Sequence, residues 1–79
     1  MTKISRNPRR PSPAQQLLAR NLRRLRKERG LSQEELAAKA GIDPAAVDRL
    51  EQCQEDPKID TLEQLALALG VPFVTLIAK

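Results

Sequence analysis

The chain has 79 residues, a formal net charge of +4 and 41% hydrophobic residues, with Phe73 as the single aromatic side chain. This length allows one domain with one small core, and a core built from Leu, Ile, Val and Ala favours packed helices. One cysteine, Cys53, and no histidine exclude an internal disulfide and a cluster of metal ligands.

The basic residues are concentrated near the N-terminus. Residues 1–29 hold ten Lys and Arg against one acid, a charge of +9, whereas residues 30–79 carry −5. A basic N-terminal third attracts a polyanion. Within it, the prolines of residues 1–12 prevent a regular helix, so this segment is interpreted as a flexible basic arm ahead of a domain at 13–79. The arm is either a solvated tail or a functional segment; its arginines are Arg6, Arg9 and Arg10.

The first predicted helix follows the arm. Ser12 is placed to cap it, Pro13 suits its first position, and Gly30 ends it as a left-handed cap. Its apolar face follows helical spacing and comprises Leu18, Leu22 and Leu25.

Two short helices come next. Ser32 and Glu35 form a capping box that starts the second predicted helix at Gln33, and Gly41 ends it. Asp43 caps the third, with Pro44 in its first position. The residues expected to face the core are Leu36, Ala37, Ala40, Val47 and Leu50.

The C-terminal part begins after a polar loop at 52–58. Asp60 and Glu63 are expected to form a capping box for a fourth helix, which Gly70 ends. Residues 71–79 form either a fifth helix opened by Pro72, which we favour, or a strand. The apolar stripe of the fourth helix comprises Leu62, Leu65, Ala66 and Leu69.

The run GLSQEELAAKAGIDPAAVDRLE at 30–51 resembles the helix-turn-helix of the Xre family, which includes the lambdoid phage repressors. The closing LALALGVP at 65–72 resembles the fourth helix of that family and its exit. The resemblance implies an all-α, compact, four- to five-helix lambda-repressor-like domain with a central helix-turn-helix at 33–52. The matching positions of the first run are Gly30, Leu31, Ser32, Gln33, Leu36, Ala37, Gly41, Ile42, Val47 and Glu51.

The spacing within this run is also physically consistent with two crossed helices. Ala37 lies where a larger side chain would separate them, and Gly41 permits the tight turn. Ile42 and Val47 fill the angle between the helices. The outer face of the third predicted helix, which is the second helix of the motif, then projects from the protein and fits a B-DNA major groove about 12 Å wide.

The resemblance also assigns roles to single residues. Arg26 and Glu51 match a family pair that joins the first helix to the end of the third, and we expect that pair to be structural. Gln33 is expected at a phosphate or in a base-contacting network, and Ser32 to cap and to reach a phosphate.

Base reading is assigned to the exposed face of the third helix. Arg49 suits guanine and Asp48 a cytosine amino group. This face departs from the family, whose members carry small polar residues here, and Glu55 and Asp56 add negative charge. Lys58 and the basic arm are the expected phosphate contacts. The expected base-reading residues are Pro44, Ala45, Ala46, Asp48 and Arg49.

Two functions from different classes fit this pattern. The first is a sequence-specific DNA-binding transcriptional regulator, a cytoplasmic repressor that binds a pseudo-palindromic operator as a homodimer without a cofactor. The second is a helix-turn-helix scaffold for protein–protein contact, antitoxin-like or adaptor, which the acidic face favours. No catalytic constellation or membrane span is expected. The predicted dimer surface, whose residues can equally close the core, comprises Phe73, Val74, Leu76 and Ile77.

Overall fold

A computed structural model describes residues 10–79 and places five helices and no strand within them. The all-α fold class is therefore confirmed, and the segment after Gly70 contains a helix rather than a strand. The helices are α1 (Pro13–Glu28), α2 (Gln33–Ala40), α3 (Pro44–Glu51), α4 (Ile59–Leu69) and α5 (Phe73–Ile77).

The helices enclose one core. α1 packs against α3 and α5, α2 packs against α3 and α4, and α4 packs against α5. Every residue predicted for the buried faces lies in this core, because the helical spacing of the leucines and alanines sets which side of each helix turns inward. The core comprises Leu18, Leu22, Leu25, Leu36, Ala37, Ala40, Val47, Leu50, Leu62, Leu65, Ala66, Leu69 and Leu76.

Side-chain caps start the first three helices. Ser32 Oγ accepts from the backbone N of Glu35 at 2.9 Å, and Glu35 Oε1 accepts from the backbone N of Ser32 at 2.8 Å. Ser12 makes the same box with Gln15 at the start of α1. Asp43 Oδ1 accepts from the backbone N of Ala45 at 3.0 Å and caps α3. The predicted starts of these helices are confirmed.

The predicted cap of α4 is wrong. The helix begins at Ile59, its N-cap position is Lys58, and no side chain caps it. The extended backbone of Lys58, directly after Pro57, allows helical geometry to begin earlier than the Asp60–Glu63 pattern predicts. Asp60 instead lies in the first turn, where a carboxylate interacts favourably with the helix dipole.

The turn between α2 and α3 depends on Gly41. Its φ is 72°, and a Cβ added there would meet nothing within 4 Å, so the constraint is the left-handed backbone rather than space. The backbone N of Ile42 donates to the carbonyl of Ala37 at 3.0 Å. This end to α2 turns the chain at once into α3 and fixes the angle between the two helices.

Two further features were not predicted from the sequence. Cys53, two residues after the end of α3, has a left-handed backbone with φ 59°. Its thiol donates to the carbonyl of Gln15 at 3.5 Å. Asn21, buried in α1, donates from Nδ2 to the carbonyls of Leu76 at 2.9 Å and Ala78 at 2.7 Å. We call this second feature the Asn21 clasp. It fastens the end of the chain to α1.

Candidate nucleic-acid interface

The start of α2 and the outer face of α3 border an open groove on the surface. We call it the α2–α3 groove. Ser32, Pro44 and Ala45 are exposed there, whereas Ala46, Asp48 and Arg49 are partly buried. The structure therefore brings most of the predicted base-reading residues to one side of the molecule. The groove is lined by Arg26, Ser32, Gln33, Glu34, Pro44, Ala45 and Asp48.

The predicted pair of Arg26 and Glu51 forms behind this groove. Arg26 Nε lies 2.6 Å from Glu51 Oε2, and Arg26 Nη2 lies 3.0 Å from Glu51 Oε1. The Glu51 side chain is 2% exposed. The hydrogen bond to Glu51 raises the pKa of Arg26 against the opposing effect of burial. This two-point contact fixes the end of α3 against α1.

Two arginines of α1 also donate to backbone carbonyls near α2 and α3. Arg26 Nη1 donates to the carbonyl of Leu31 at 2.9 Å, just before α2. Arg23 Nη2 donates to the backbone carbonyl of Glu51 at 2.7 Å. α3 is therefore held in its orientation by polar contacts at its C-terminal end as well as by its apolar face.

Gln33 is the first residue of α2, and its side-chain amide nitrogen donates two hydrogen bonds to carboxylates of α3. Gln33 Nε2 donates to Asp48 Oδ1 at 3.2 Å and to Glu51 Oε1 at 3.1 Å. Asp48 Oδ1 also accepts from Gln52 Nε2 at 2.9 Å. In the unbound protein the Gln33 amide nitrogen is thus directed into the protein, away from the phosphate contact that the sequence predicts for it.

Arg49, the residue expected to read guanine, is held by the loop that follows α3. Its Nε lies 2.6 Å from Glu55 Oε1, with both side chains substantially exposed. The hydrogen bond and charge of Glu55, with smaller effects from Asp43 and Asp48, raise the pKa of Arg49. Arg49 Nε is therefore engaged by Glu55 in the unbound protein. The pattern of charges in the sequence did not reveal this pair.

Two of the side chains expected to contact phosphates are exposed. Lys58 is exposed at the start of α4, and Arg10 is exposed ahead of α1. Arg6 and Arg9 lie outside the described residues. A second open groove places Arg23 and Lys27 of α1 beside Asp48. The basic charge of α1 therefore reaches the edge of the recognition surface.

The structure buries part of the predicted dimer surface and leaves the rest exposed. Leu76 is fully buried in the core of its own protomer, which corrects its assignment as a contact residue, because the helical geometry of α5 turns it inward. Phe73 is partly buried against that core. Val74 is 59% exposed and Ile77 43%. α4 adds Leu67, which is 82% exposed and was not singled out from the sequence.

Within residues 10–79, no three His, Cys, Asp or Glu side chains are grouped to hold a metal ion. Over the same range, no helix has the length and apolar character needed to cross a membrane.

A protein-family model described as helix-turn-helix, HTH_3, matches residues 22–76. The chain belongs to this helix-turn-helix family. The match runs from the middle of α1 into α5 and includes Arg26, the α2–α3 groove and Glu51. It confirms the family that the 30–51 motif indicates.

Named relatives of this family member are regulators. The chain is 43% identical over 61 residues, 77% of its own length and 79% of the other, to a Sinorhizobium fredii protein described as the uncharacterized HTH-type transcriptional regulator y4dJ. It is 36% identical over 62 residues to the transcriptional repressor RstR of the cryptic phage CTXphi in Vibrio cholerae. That match covers 78% of this chain and 56% of RstR, so the chain spans about half of that relative.

A solved structure shows a similar fold bound to DNA. It is the restriction-modification controller protein C.Esp1396I, a tetramer in complex with its natural 35 base-pair operator. The TM-score is 0.76 at 26% identity, over 82% of this chain and 86% of the other. The similarity supports the lambda-repressor-like arrangement expected from the sequence.

Proposed function

We propose that this family member is a sequence-specific DNA-binding transcriptional regulator, a repressor that acts as a homodimer on a pseudo-palindromic operator. The observation that carries the proposal is the uncovered outer face of α3, held in place by Arg26 and Glu51. A helix presented in this way fits the major groove. The similar controller protein bound to its operator supports the same use of the fold.

The DNA contacts are proposed to divide into two sets. The α2–α3 groove and the outer face of α3 approach the base edges, and basic side chains outside them neutralise phosphates. Because acids lie at and beside α3, much of the affinity comes from α1 and the N-terminal arm. The proposed contact residues are Ser32, Gln33, Pro44, Ala45, Ala46, Asp48, Arg49, Lys58, Arg6, Arg9 and Arg10.

A titration with DNA at two salt concentrations tests this function. Wild-type protein is mixed with random duplex and with duplexes selected for binding. We expect binding that weakens steeply as salt rises, by about 0.9 in log affinity per log salt for each phosphate neutralised. Selected duplexes should bind more tightly than random duplex at either salt. Absence of binding at low salt would contradict the proposal, and equal binding of all duplexes would reject specific readout.

The direction of regulation has its own test. Repression fits the resemblance to lambdoid repressors and the named relative RstR. A reporter gene with the selected site overlapping its promoter should lose expression in the bacterial cytoplasm, where we propose that the protein acts without enzymatic activity. Increased expression from that reporter would identify an activator.

The alternative is a scaffold that binds another protein. Asp48 and the Arg49–Glu55 pair favour it, because they place carboxylates on the face that would approach DNA. The titration above distinguishes the two functions, since a protein-binding scaffold gives no complex with any duplex at low salt.

A further inference from the structure

The amide of Gln33 has a fixed orientation in the unbound protein. Its nitrogen carries two hydrogens, and both have carboxylate partners, Asp48 Oδ1 and Glu51 Oε1. Ionised carboxylates only accept hydrogen bonds, so a rotated amide would direct Oε1 toward two acceptors. Gln33 therefore keeps Nε2 directed inward and has Oε1 as its remaining polar atom, which is an acceptor.

Asp48 also has an acceptor left over. Its Oδ1 receives hydrogen bonds from Gln33 and Gln52. Its Oδ2 receives none from any residue that the structure describes. Gln33 and Asp48 both line the open α2–α3 groove, between the exposed Ser32 and Ala45. The polar surface that the two side chains offer there consists of acceptors.

The chemistry of the partner follows from these acceptors. Phosphate oxygens are acceptors, and so are the O6 and N7 atoms of guanine and the O4 atom of thymine. Only cytosine N4 and adenine N6 present donors in the major groove. Arg49, the donor on α3 that would suit guanine, has its Nε engaged by Glu55.

We propose that Asp48 reads an exocyclic amino group, of cytosine or adenine, at one position in each half-site, and that Gln33 is the positioning residue that directs its carboxylate. This inference rests on the proposed function. It extends the cytosine contact expected for Asp48 to the amino group of either base, and it replaces the phosphate contact expected for Gln33 with a positioning role.

The test is a cycle between one side chain and one functional group of the DNA. Wild-type and Asp48→Ala proteins are titrated with the selected duplex and with duplexes in which one cytosine or adenine lacks its exocyclic amino group at the same position of both half-sites. At one position per half-site, removing the group should weaken wild-type binding on the order of tenfold. Asp48→Ala should weaken binding of the parent duplex similarly, and the two changes together should cost no more than either alone.

Glu34→Ala is the matched control, because Glu34 lines the same groove and is an acid of equal charge. Its effect should add to that of the missing amino group at every position. The inference would be overturned if loss of the amino group were coupled equally to Asp48→Ala and to Glu34→Ala. It would also be overturned if Asp48→Ala raised the affinity for all duplexes uniformly, since either result would show charge repulsion alone.

The base preference of wild-type protein gives a second readout that needs no variant. At the coupled position the four base pairs should rank with cytosine or adenine on the contacted strand first. A preference for guanine or thymine there, or no position sensitive to amino-group removal, would overturn the inference while specific binding persists. Failure of the proposed function is recognised separately, because no duplex then binds at all.

Discussion

At the scale of single residues, Glu51 lies where three helices meet. Its carboxylate accepts from Arg26 and from Gln33 while its side chain is almost fully buried. Removing one partner of a buried pair leaves the other charge uncompensated. We expect Glu51→Ala to lower the free energy of unfolding by about 3 kcal/mol or more, measured by urea denaturation.

Glu28→Ala is the control for this change. Glu28 lies 3.3 Å from Arg24, but both side chains are about half exposed, so the loss should stay below about 1 kcal/mol. Similar losses in the two variants would contradict the structural role of Glu51.

The pKa of Arg26 is raised in the folded protein. The stability that the charged guanidinium contributes is therefore present at every pH below the pKa of Arg26 in the unfolded chain, and it is lost only in strongly alkaline solution. The effect of Glu51→Ala should therefore not fade through deprotonation of Arg26 between mildly acidic and mildly alkaline pH.

Cys53 gives a second prediction at this scale. A side chain at φ 59° is strained, and a β-branched one more so. Cys53→Val should destabilise the protein by roughly 1–2 kcal/mol. Cys53→Gly should be nearly neutral, because relief of strain is offset by glycine entropy and by the lost thiol contact with Gln15. Thermal denaturation followed by circular dichroism compares them, and equal midpoints would contradict the strain argument.

The role of a residue can be predicted where a family motif or helical spacing specifies its position. The Arg26–Glu51 pair came from the resemblance, and its geometry is as expected. Asn21 was missed although it lies three residues after Leu18 and four before Leu25, a spacing that places it on the buried face. The Arg49–Glu55 contact depends on the path of the loop after α3, which no local pattern specifies.

At the scale of the helices, the two kinds of start can be compared. Ser32 caps α2 with two reciprocal hydrogen bonds, whereas Asp60 lies inside α4. Ser32→Ala should cost about 1 kcal/mol of stability. Asp60→Ala should cost only a few tenths of a kcal/mol through the helix dipole. Urea denaturation of both variants checks this difference, and a larger loss for Asp60→Ala would restore the cap that the sequence predicted.

Some helix boundaries can be predicted from the sequence, and others depend on loop geometry or tertiary contacts. Starts with Ser or Asp caps were predicted correctly for α1, α2 and α3, and ends with Gly for α2 and α4, because backbone groups there are satisfied within a few residues. The start of α4 was wrong, because the loop geometry at Lys58 decides it. For residues 71–79 the sequence favours a helix without excluding a strand. The structure has α5 there, since burial of Leu76 against the core, a tertiary contact, outweighs the β propensity of its neighbours.

At the scale of the whole molecule, we propose that the homodimer forms through the surface left by α5. Val74 is 59% exposed there, and Ile59, at the other end of α4 from α5, is 62% exposed. Val74→Glu should shift the protein to a monomer in sedimentation and weaken binding to a two-half-site duplex at least tenfold, because a charge would be buried in the interface. Ile59→Glu should leave the dimer intact. If the Val74→Glu variant is still a dimer, or if the wild-type protein is a monomer, the proposal that α5 forms the dimer interface is wrong.

The Asn21 clasp has a consequence for the order in which the chain folds. It joins residues 55 and 57 positions apart, whereas the α2–α3 turn closes over a few residues. Distant contacts are slower to form because a long loop must first be ordered. Docking of α5 on α1 should therefore follow assembly of the two central helices. Pulse-labelling hydrogen exchange during refolding should then show the amides of α5 becoming protected later than those of α2 and α3.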